Sequence, residues 1–207
     1  MSKVLAYHVV FCMRGFWLPN DPRGSGSTEV RFEPLRKFGP ATKLETRQSV
    51  AGIPHDRAKR KAAKREMVLP EVILDGKQAQ SIGRGFAEQT AKSGYRIHAC
   101  TIMPAHVHMV IARHIYAVEQ VVRLLRQAGT RRLLADGRHP FADLRGKVGR
   151  LPSVWAQDQW KVFLFDAEQI RNRIEYVEQN PIKEGKPAQG WKFVCPFDES
   201  DPISDAS

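Results

Sequence analysis

Tyr95-Arg96-Ile97-His98-Ala99-Cys100-Thr101-Ile102-Met103-Pro104-Ala105-His106-Val107-His108-Met109-Val110-Ile111-Ala112 decides the fold. Tyr95 to Ile102 and His106 to Ala112 are rich in β-branched and apolar residues and read as two short strands. Only Met103-Pro104-Ala105 separates them, which leaves room for a tight hairpin-like passage and nothing longer.

Helical patterns flank this hairpin. Residues 71–92 read as a helix with Val72, Ile73, Ile82, Phe86 and Ala87 as core positions, stopped by Gly94. Residues 117–135 read as another, with Val118, Val121, Val122, Leu124, Leu125, Leu133 and Leu134 as its apolar positions. Arg123, Arg126, Arg131 and Arg132 stud the rest. Further out, residues 4–13 form a first strand and Trp160 to Phe165 a last one. Asp166 is then placed to N-cap a helix running to about Gln179. Asn180-Pro181 should end it, because the residue before a proline leaves the α region. The order strand, helix, strand, strand, helix, strand is the β-α-β-β-α-β unit of ferredoxin-like folds. The expected class is therefore α+β, a ferredoxin-like (RRM-like) sandwich with an antiparallel sheet, plus a C-terminal helix.

One domain over residues 1–187 accounts for these elements, with a C-terminal tail over 188–207 whose Ser- and Asp-rich end after Phe197 reads as frayed. Within the domain, about 19–66 is a long basic insertion. It begins with the turn chemistry of Leu18-Pro19-Asn20-Asp21-Pro22-Arg23-Gly24 and ends in the alanine-bearing basic run 57–66, which suits a helix. Lys59, Arg60 and Lys61 in that run form either a solvated face or a phosphate-tracking patch.

The chain has 207 residues, 42% hydrophobic and 27% charged, enough for a packed core and unlike a disordered protein. Lys and Arg number 33 against 22 Asp and Glu, a formal charge of +11 that attracts polyanions, nucleic acid first among them. No apolar run is long enough to span a bilayer and no signal-peptide pattern opens the chain, so the expectation is no membrane and a cytoplasmic, nucleoid-associated location. Cys12, Cys100 and Cys195 are too few and too scattered for a disulfide framework or a zinc knuckle.

Two features carry chemistry. In His106-Val107-His108, residues two apart on a strand share a face, so two imidazoles project together while Val107 points into the core. That is a bidentate metal site in the making, although His-x-His on a strand also occurs with no ligand. The other histidines (His8, His55, His98, His114 and His139) show no such pairing. Tyr176 and Asn180 lie four apart, on one face of the predicted helix. Taken separately, one reads as a core tyrosine and the other as a helix stop.

Together they resemble a known family. Met103-Pro104-Ala105-His106-Val107-His108-Met109-Val110 is similar to the Met-Pro-Asn-His-Val-His-hydrophobic-hydrophobic motif of the single-tyrosine His-hydrophobic-His (HUH) transposases. Tyr176-Val177-Glu178-Gln179-Asn180-Pro181-Ile182-Lys183-Glu184-Gly185 is similar to their Tyr-Ile-x-x-Asn-Pro-Val-Lys/Arg-Ala-Gly block, in the Asn-Pro form of the REP-associated tyrosine transposases. Trp17-Leu18-Pro19-Asn20-Asp21-Pro22-Arg23-Gly24 resembles a Trp-Leu-Pro-Gly-Asp-x-Arg-Gly segment of some relatives. The resemblance runs from about residue 4 to 187. Ala105 and Glu184 depart from it, and the basic segment 31–66 has no counterpart.

The resemblance implies a metal-dependent enzyme that cuts and rejoins single-stranded or hairpin DNA, as in DNA transposition. Tyr176 would be the nucleophile and would form a 5′-phosphotyrosine. His106, His108 and Asn180 would hold Mg²⁺ or Mn²⁺. Arg123, Arg126, Arg131, Arg132, Lys59, Arg60 and Lys61 are the candidate phosphate contacts. Phe16 and Trp17 could stack on unpaired bases, while Trp155 reads as core. The chain would act as a monomer or a homodimer. The alternatives are a catalytically silent DNA-binding protein derived from a transposase, a water-using phosphoesterase and an RNA-binding module. A phosphoesterase would leave Tyr176 idle. An RNA-binding module would want exposed aromatics where these strands carry histidines.

Overall fold

The computed structural model describes residues 3–199 except 45, 47–49, 51 and 146–148. Four strands form one sheet: β1 (Ala6–Met13), β2 (Ile97–Ile102), β3 (His106–Ala112) and β4 (Trp155–Leu164). Their spatial order is β2-β3-β1-β4, and every neighbouring pair is antiparallel. Two helices, α3 (Gly76–Ser93) and α4 (Val118–Ala135), make the crossovers, and α5 (Ala167–Lys183) follows β4. This is the ferredoxin-like arrangement with an added C-terminal helix, as the element order implied.

Strand alternation divides the molecule into two layers on the sheet. Val9, Phe11 and Met13 of β1 and Val107, Met109 and Ile111 of β3 turn to one face. There they meet Ile82 and Phe86 of α3 and Val121, Val122, Leu125 and Leu133 of α4. Burying each such side chain is worth about 1.5–3 kcal/mol, so this layer carries most of the stability. Close approach of the two helices requires Gly85, where a Cβ would lie 2.6 Å from the Ala128 carbonyl oxygen. The opposite face is covered only partly. Ile170 and Val177 of α5 pack on Ala6, Ala99, Val110 and Leu164, leaving His8, His106 and His108 on the uncovered part of that face beside Val10 and Trp160.

Several boundaries differ from the sequence expectations, each for a local reason. The helix expected over 71–92 begins at Gly76, because Asp75 and Gln78 form a capping box there. Residues before it run extended: the Val72 amide donates to the Arg14 carbonyl at 2.9 Å and the Leu74 amide to the Pro104 carbonyl at 2.8 Å. Period two then buries Val72 and Leu74 and turns Ile73 outward, so Ile73 is not a core residue. Leu134 is likewise exposed and Ala87 only half-buried. β4 starts at Trp155, five residues before the expected Trp160. Asp166 does N-cap α5 through the Gln169 amide, but the helix runs through Pro181 to Lys183. A proline in the last turn removes one intrahelical bond where few remain to be lost.

In the insertion, α1 (Glu33–Arg36) and α2 (Arg57–Arg65) build a small satellite core from Leu18, Leu35 and Ala63. Beneath it the Asp21 carboxylate, fully buried, accepts from Arg23 Nε at 2.9 Å and from Arg60 Nε at 2.8 Å. Residues 189–197, assigned to the tail, pack on the domain. Gln189 bonds both backbone groups of Ile102, and the Cys195 amide donates to the Ile97 carbonyl at 2.9 Å. That covers the outer edge of β2, which would otherwise offer unpaired groups to another chain. Residues 200–207, expected to fray, lie outside those described.

Candidate active site

β3 presents His106 and His108 to the sheet face that α5 crosses, with Val107 fully buried on the other side. Their rings lie 4.8 Å apart, nearly edge to face. α5 brings Tyr176 alongside: its ring is 5.8 Å from that of His108. One turn later Asn180 joins the same cleft as both histidines, Tyr176 and Glu184. The helix has to continue through Pro181 for this, since only helical spacing aligns residues 176, 180 and 184. His106, His108, Tyr176 and Asn180 thus come together within one chain from two distant segments.

A third imidazole completes the cluster. His8 on β1 lies edge to edge with His108, with ring centroids 5.4 Å apart and planes within 13° of each other, and its Nε2 lies 3.2 Å from His108 Nδ1. Sequence reasoning passed over His8 because it has no partner along the chain. The signal lies in topology: β1 sits beside β3, so a histidine facing the same side of β1 must fall near His108.

Burial keeps all three imidazoles neutral. It pushes His108 down to about 2, with neighbouring His106 and His8 adding to the effect. It pushes His8 down to about 3, helped by the Arg173 guanidinium. His106 is lowered too, again by burial, with Glu184 opposing. Neutral imidazoles are the form that binds metals. Among the described residues, no group of three or more His, Cys, Asp or Glu is placed to hold a metal. Asn180, one turn after Tyr176 and lining the same cleft, offers a neutral amide oxygen that could serve as a further donor. His106 Nδ1 and Asn180 Nδ2 are both buried with no protein partner. The donor set fits a divalent cation with open positions, of the Mg²⁺ or Mn²⁺ kind.

The surrounding cleft has a volume of about 1970 Å³, above the range usual for small-molecule pockets and suited to a polymer. Phe16, Trp17 and Trp160 line it, with Phe16 5.4 Å from His106 and Trp160 5.5 Å from His8. Of the candidate phosphate contacts, Arg123 and Arg131 are exposed and line the cleft. Arg126 also borders it, but its guanidinium holds the Gln157 and Asp158 carbonyls at 3.1 and 2.8 Å and ties α4 to β4. Arg132 pairs with Glu88 and Asp136 away from the cleft. Arg60 is held by Asp21 and by the Phe16 carbonyl. Lys59 and Lys61 are exposed on α2 and do not line the cleft. Arg145, Arg150 and Arg173 do line it, and sequence reasoning had not singled them out. Arg173 and Lys183 also flank the Tyr176 ring, at 5.8 and 5.6 Å from its centre. Trp155 is core as expected, its Nε1 donating to the Arg126 carbonyl.

Set against known proteins, residues 70–180 match the family model described as "Transposase IS200 like". No curated protein matches the chain. Among solved structures, one it is similar to is a REP-associated tyrosine transposase bound to a REP hairpin. The two are 13% identical over 99% of this chain and 91% of that one, with a TM-score of 0.47. Another is a candidate transposase from Deinococcus radiodurans R1, 15% identical over 91% and 95% of the two chains, with a TM-score of 0.41.

Proposed function

Because the chain belongs to the IS200-like transposase family, we propose that it cuts and rejoins single-stranded or hairpin DNA by transesterification at Tyr176. The observation that carries this is the meeting of Tyr176 with His106, His108 and Asn180 in one basic cleft. A phosphoesterase that used water would have no use for a tyrosine beside its histidines.

The Tyr176 hydroxyl attacks the scissile phosphorus in line. An O–P bond forms to the tyrosine, the bond to the 3′ oxygen breaks, and that oxygen leaves as a 3′-hydroxyl with the phenol proton, by way of solvent. A phenol, with a pKa near ~10, is a better leaving group than an alcohol, so a second 3′-hydroxyl reverses the step and joins new ends without ATP. A divalent cation on His106, His108 and Asn180 would supply positive charge against the non-bridging oxygens as charge develops there. Arg173 and Lys183 add fixed charge beside the phenol ring. Arg123 and Arg131 track the backbone along the cleft, and Phe16, Trp17 and Trp160 offer faces on which unpaired bases stack. Tyr176 serves the histidines of its own chain, so a monomer suffices.

The test is incubation with labelled hairpin DNA from sequence flanking the gene, with Mn²⁺ or with EDTA, followed by a denaturing protein gel. A metal-dependent shifted band, absent in Tyr176→Phe, is the expected result. Cleavage surviving in Tyr176→Phe would point to a water-using phosphoesterase. Binding with neither adduct nor cleavage would point to a silent DNA-binding protein.

A further inference from the structure

We propose that His8 is a positioning residue for His108: in the metal-loaded protein its Nε2 accepts a hydrogen bond from His108 Nδ1–H. This rests on the reading of His108 as a metal ligand. The two nitrogens are 3.2 Å apart, both residues are almost fully buried, and the ring planes lie within 13° of each other, so lone pair and N–H meet in plane.

One proton lies between these nitrogens, and its position decides what His108 can do. If His8 Nε2 carried it, neutral His108 would have its own proton on Nε2, and that nitrogen could not ligate. If His108 Nδ1 carries it, His108 Nε2 is a bare lone pair. Metal-bound histidines generally donate through the nitrogen not on the metal, which fixes the ring and raises its basicity. The partner is usually a carboxylate or carbonyl; here the described neighbour at hydrogen-bond distance is another imidazole. The arrangement has a cost. It puts a proton on His8 Nδ1, which is buried without a partner. A cation on the far side of His108 supplies the free energy that offsets it.

β1 and β3 hold the pair in register, Val10 opposite His108 and His8 opposite Val110, so His8 reaches His108 on the diagonal of the same sheet face. Trp160 and Tyr176 close around His8 at 5.5 and 5.7 Å and leave its ring little freedom to turn away. His106 has no such support: its Nδ1 is buried and unpartnered. The structure thus gives the two ligands unequal second partners, and His108 should be the better oriented of the two.

The test combines two readouts on the full chain. In ¹⁵N-labelled wild-type protein loaded with Mg²⁺, side-chain NMR should place a proton on His108 Nδ1 and none on His8 Nε2. The opposite placement overturns the proposal without any variant. Mn²⁺ affinity, read by calorimetry, should fall about 10- to 100-fold in His8→Phe, which keeps an aromatic ring and removes the acceptor. His8→Gln, which retains an acceptor, should recover most of it, a rescue that a purely structural role would not give. Should His8→Phe fail to fold, the same comparison is made with His8→Leu. Undiminished Mn²⁺ affinity in a folded His8→Phe or His8→Leu overturns the proposal and leaves the function standing. If wild type binds Mn²⁺ no better than a His106→Ala/His108→Ala variant, the metal reading fails, and the proposal with it.

Discussion

Replacing Asp21 with alanine should release the insertion from the domain. The carboxylate is completely buried and accepts four hydrogen bonds: from the Arg23 amide and Nε on Oδ1, and from Arg23 Nη2 and Arg60 Nε on Oδ2, at 2.8–3.2 Å. Burial alone would raise its pKa, but the hydrogen bonds from Arg23 and Arg60 outweigh this and hold it below the usual carboxylate range. Removing one partner of a buried pair costs about 3–5 kcal/mol, because the charges left behind have no compensation. Arg23 is 6% exposed and cannot reach water without the loop moving, whereas Arg60, at 19%, can swing outward. The loss should therefore fall near the lower end, about 3 kcal/mol. It should concentrate in the insertion, since Arg60 is what joins α2 to both Asp21 and the Phe16 carbonyl. Urea unfolding gives the total loss, and limited proteolysis shows where it acts, with new cutting expected between residues 19 and 66. Arg23→Met added to Asp21→Ala should recover part of the loss by removing the charge left buried. A loss under about 1 kcal/mol with no new cutting would refute the reasoning. It would mean that the contacts of Leu18, Leu35 and Ala63 and the remaining hydrogen bonds hold the insertion without Asp21.

Three further outcomes are expected. Metal-free protein should lose stability on acidification, because a histidine held neutral by burial favours folding only above its unfolded pKa. For His8, at about 3 folded against 6.5 unfolded, the loss begins as pH drops below about 6.5 and reaches about 2 kcal/mol at pH 5; urea titrations should show a flatter pH dependence in His8→Phe. Arg123→Ala with Arg131→Ala should weaken single-stranded DNA binding and lower the slope of log K against log salt by about 0.7 for each phosphate no longer neutralised, whereas Arg132→Ala, outside the cleft, should leave both unchanged. Deleting residues 188–207 removes Gln189 and Cys195 from the β2 edge and should cause concentration-dependent association by light scattering; a truncated chain that stays monomeric would show that the edge needs no cover.

The parts of this fold legible in the sequence are those set by short-range rules. Period two places His106 and His108 on one face and Val107 on the other, and that holds wherever the strand sits. Asp166 caps its helix through bonds to residues three positions away. What escaped the sequence depended on partners far along the chain. Residues 72–74 share the apolar character of the helix that follows and differ from it only by bonds to Arg14 and Pro104. Arg126, Arg60 and Arg132 look like free surface cations until their acceptors are seen on other segments. His8 belongs with these, since strand pairing alone makes it a neighbour of His108.

Where the chain breaks the rules of a well-satisfied interior also bears on function. Ten buried side-chain atoms lack a hydrogen-bond partner among the described residues. Four of them, His8 Nδ1, His106 Nδ1, Asn180 Nδ2 and Thr101 Oγ1, belong to one neighbourhood, Thr101 being the β2 residue paired with His108. Each such group costs about 1–3 kcal/mol if it stays unpaired. Apolar residues at these positions would extend the cluster of Ala99, Val110 and Val177 beside them and give a more stable sheet face. A fold that keeps neutral imidazoles and an amide there is less stable than it could be, at the point where Tyr176 arrives. That local cost is expected where a chain keeps polar groups for function rather than for stability.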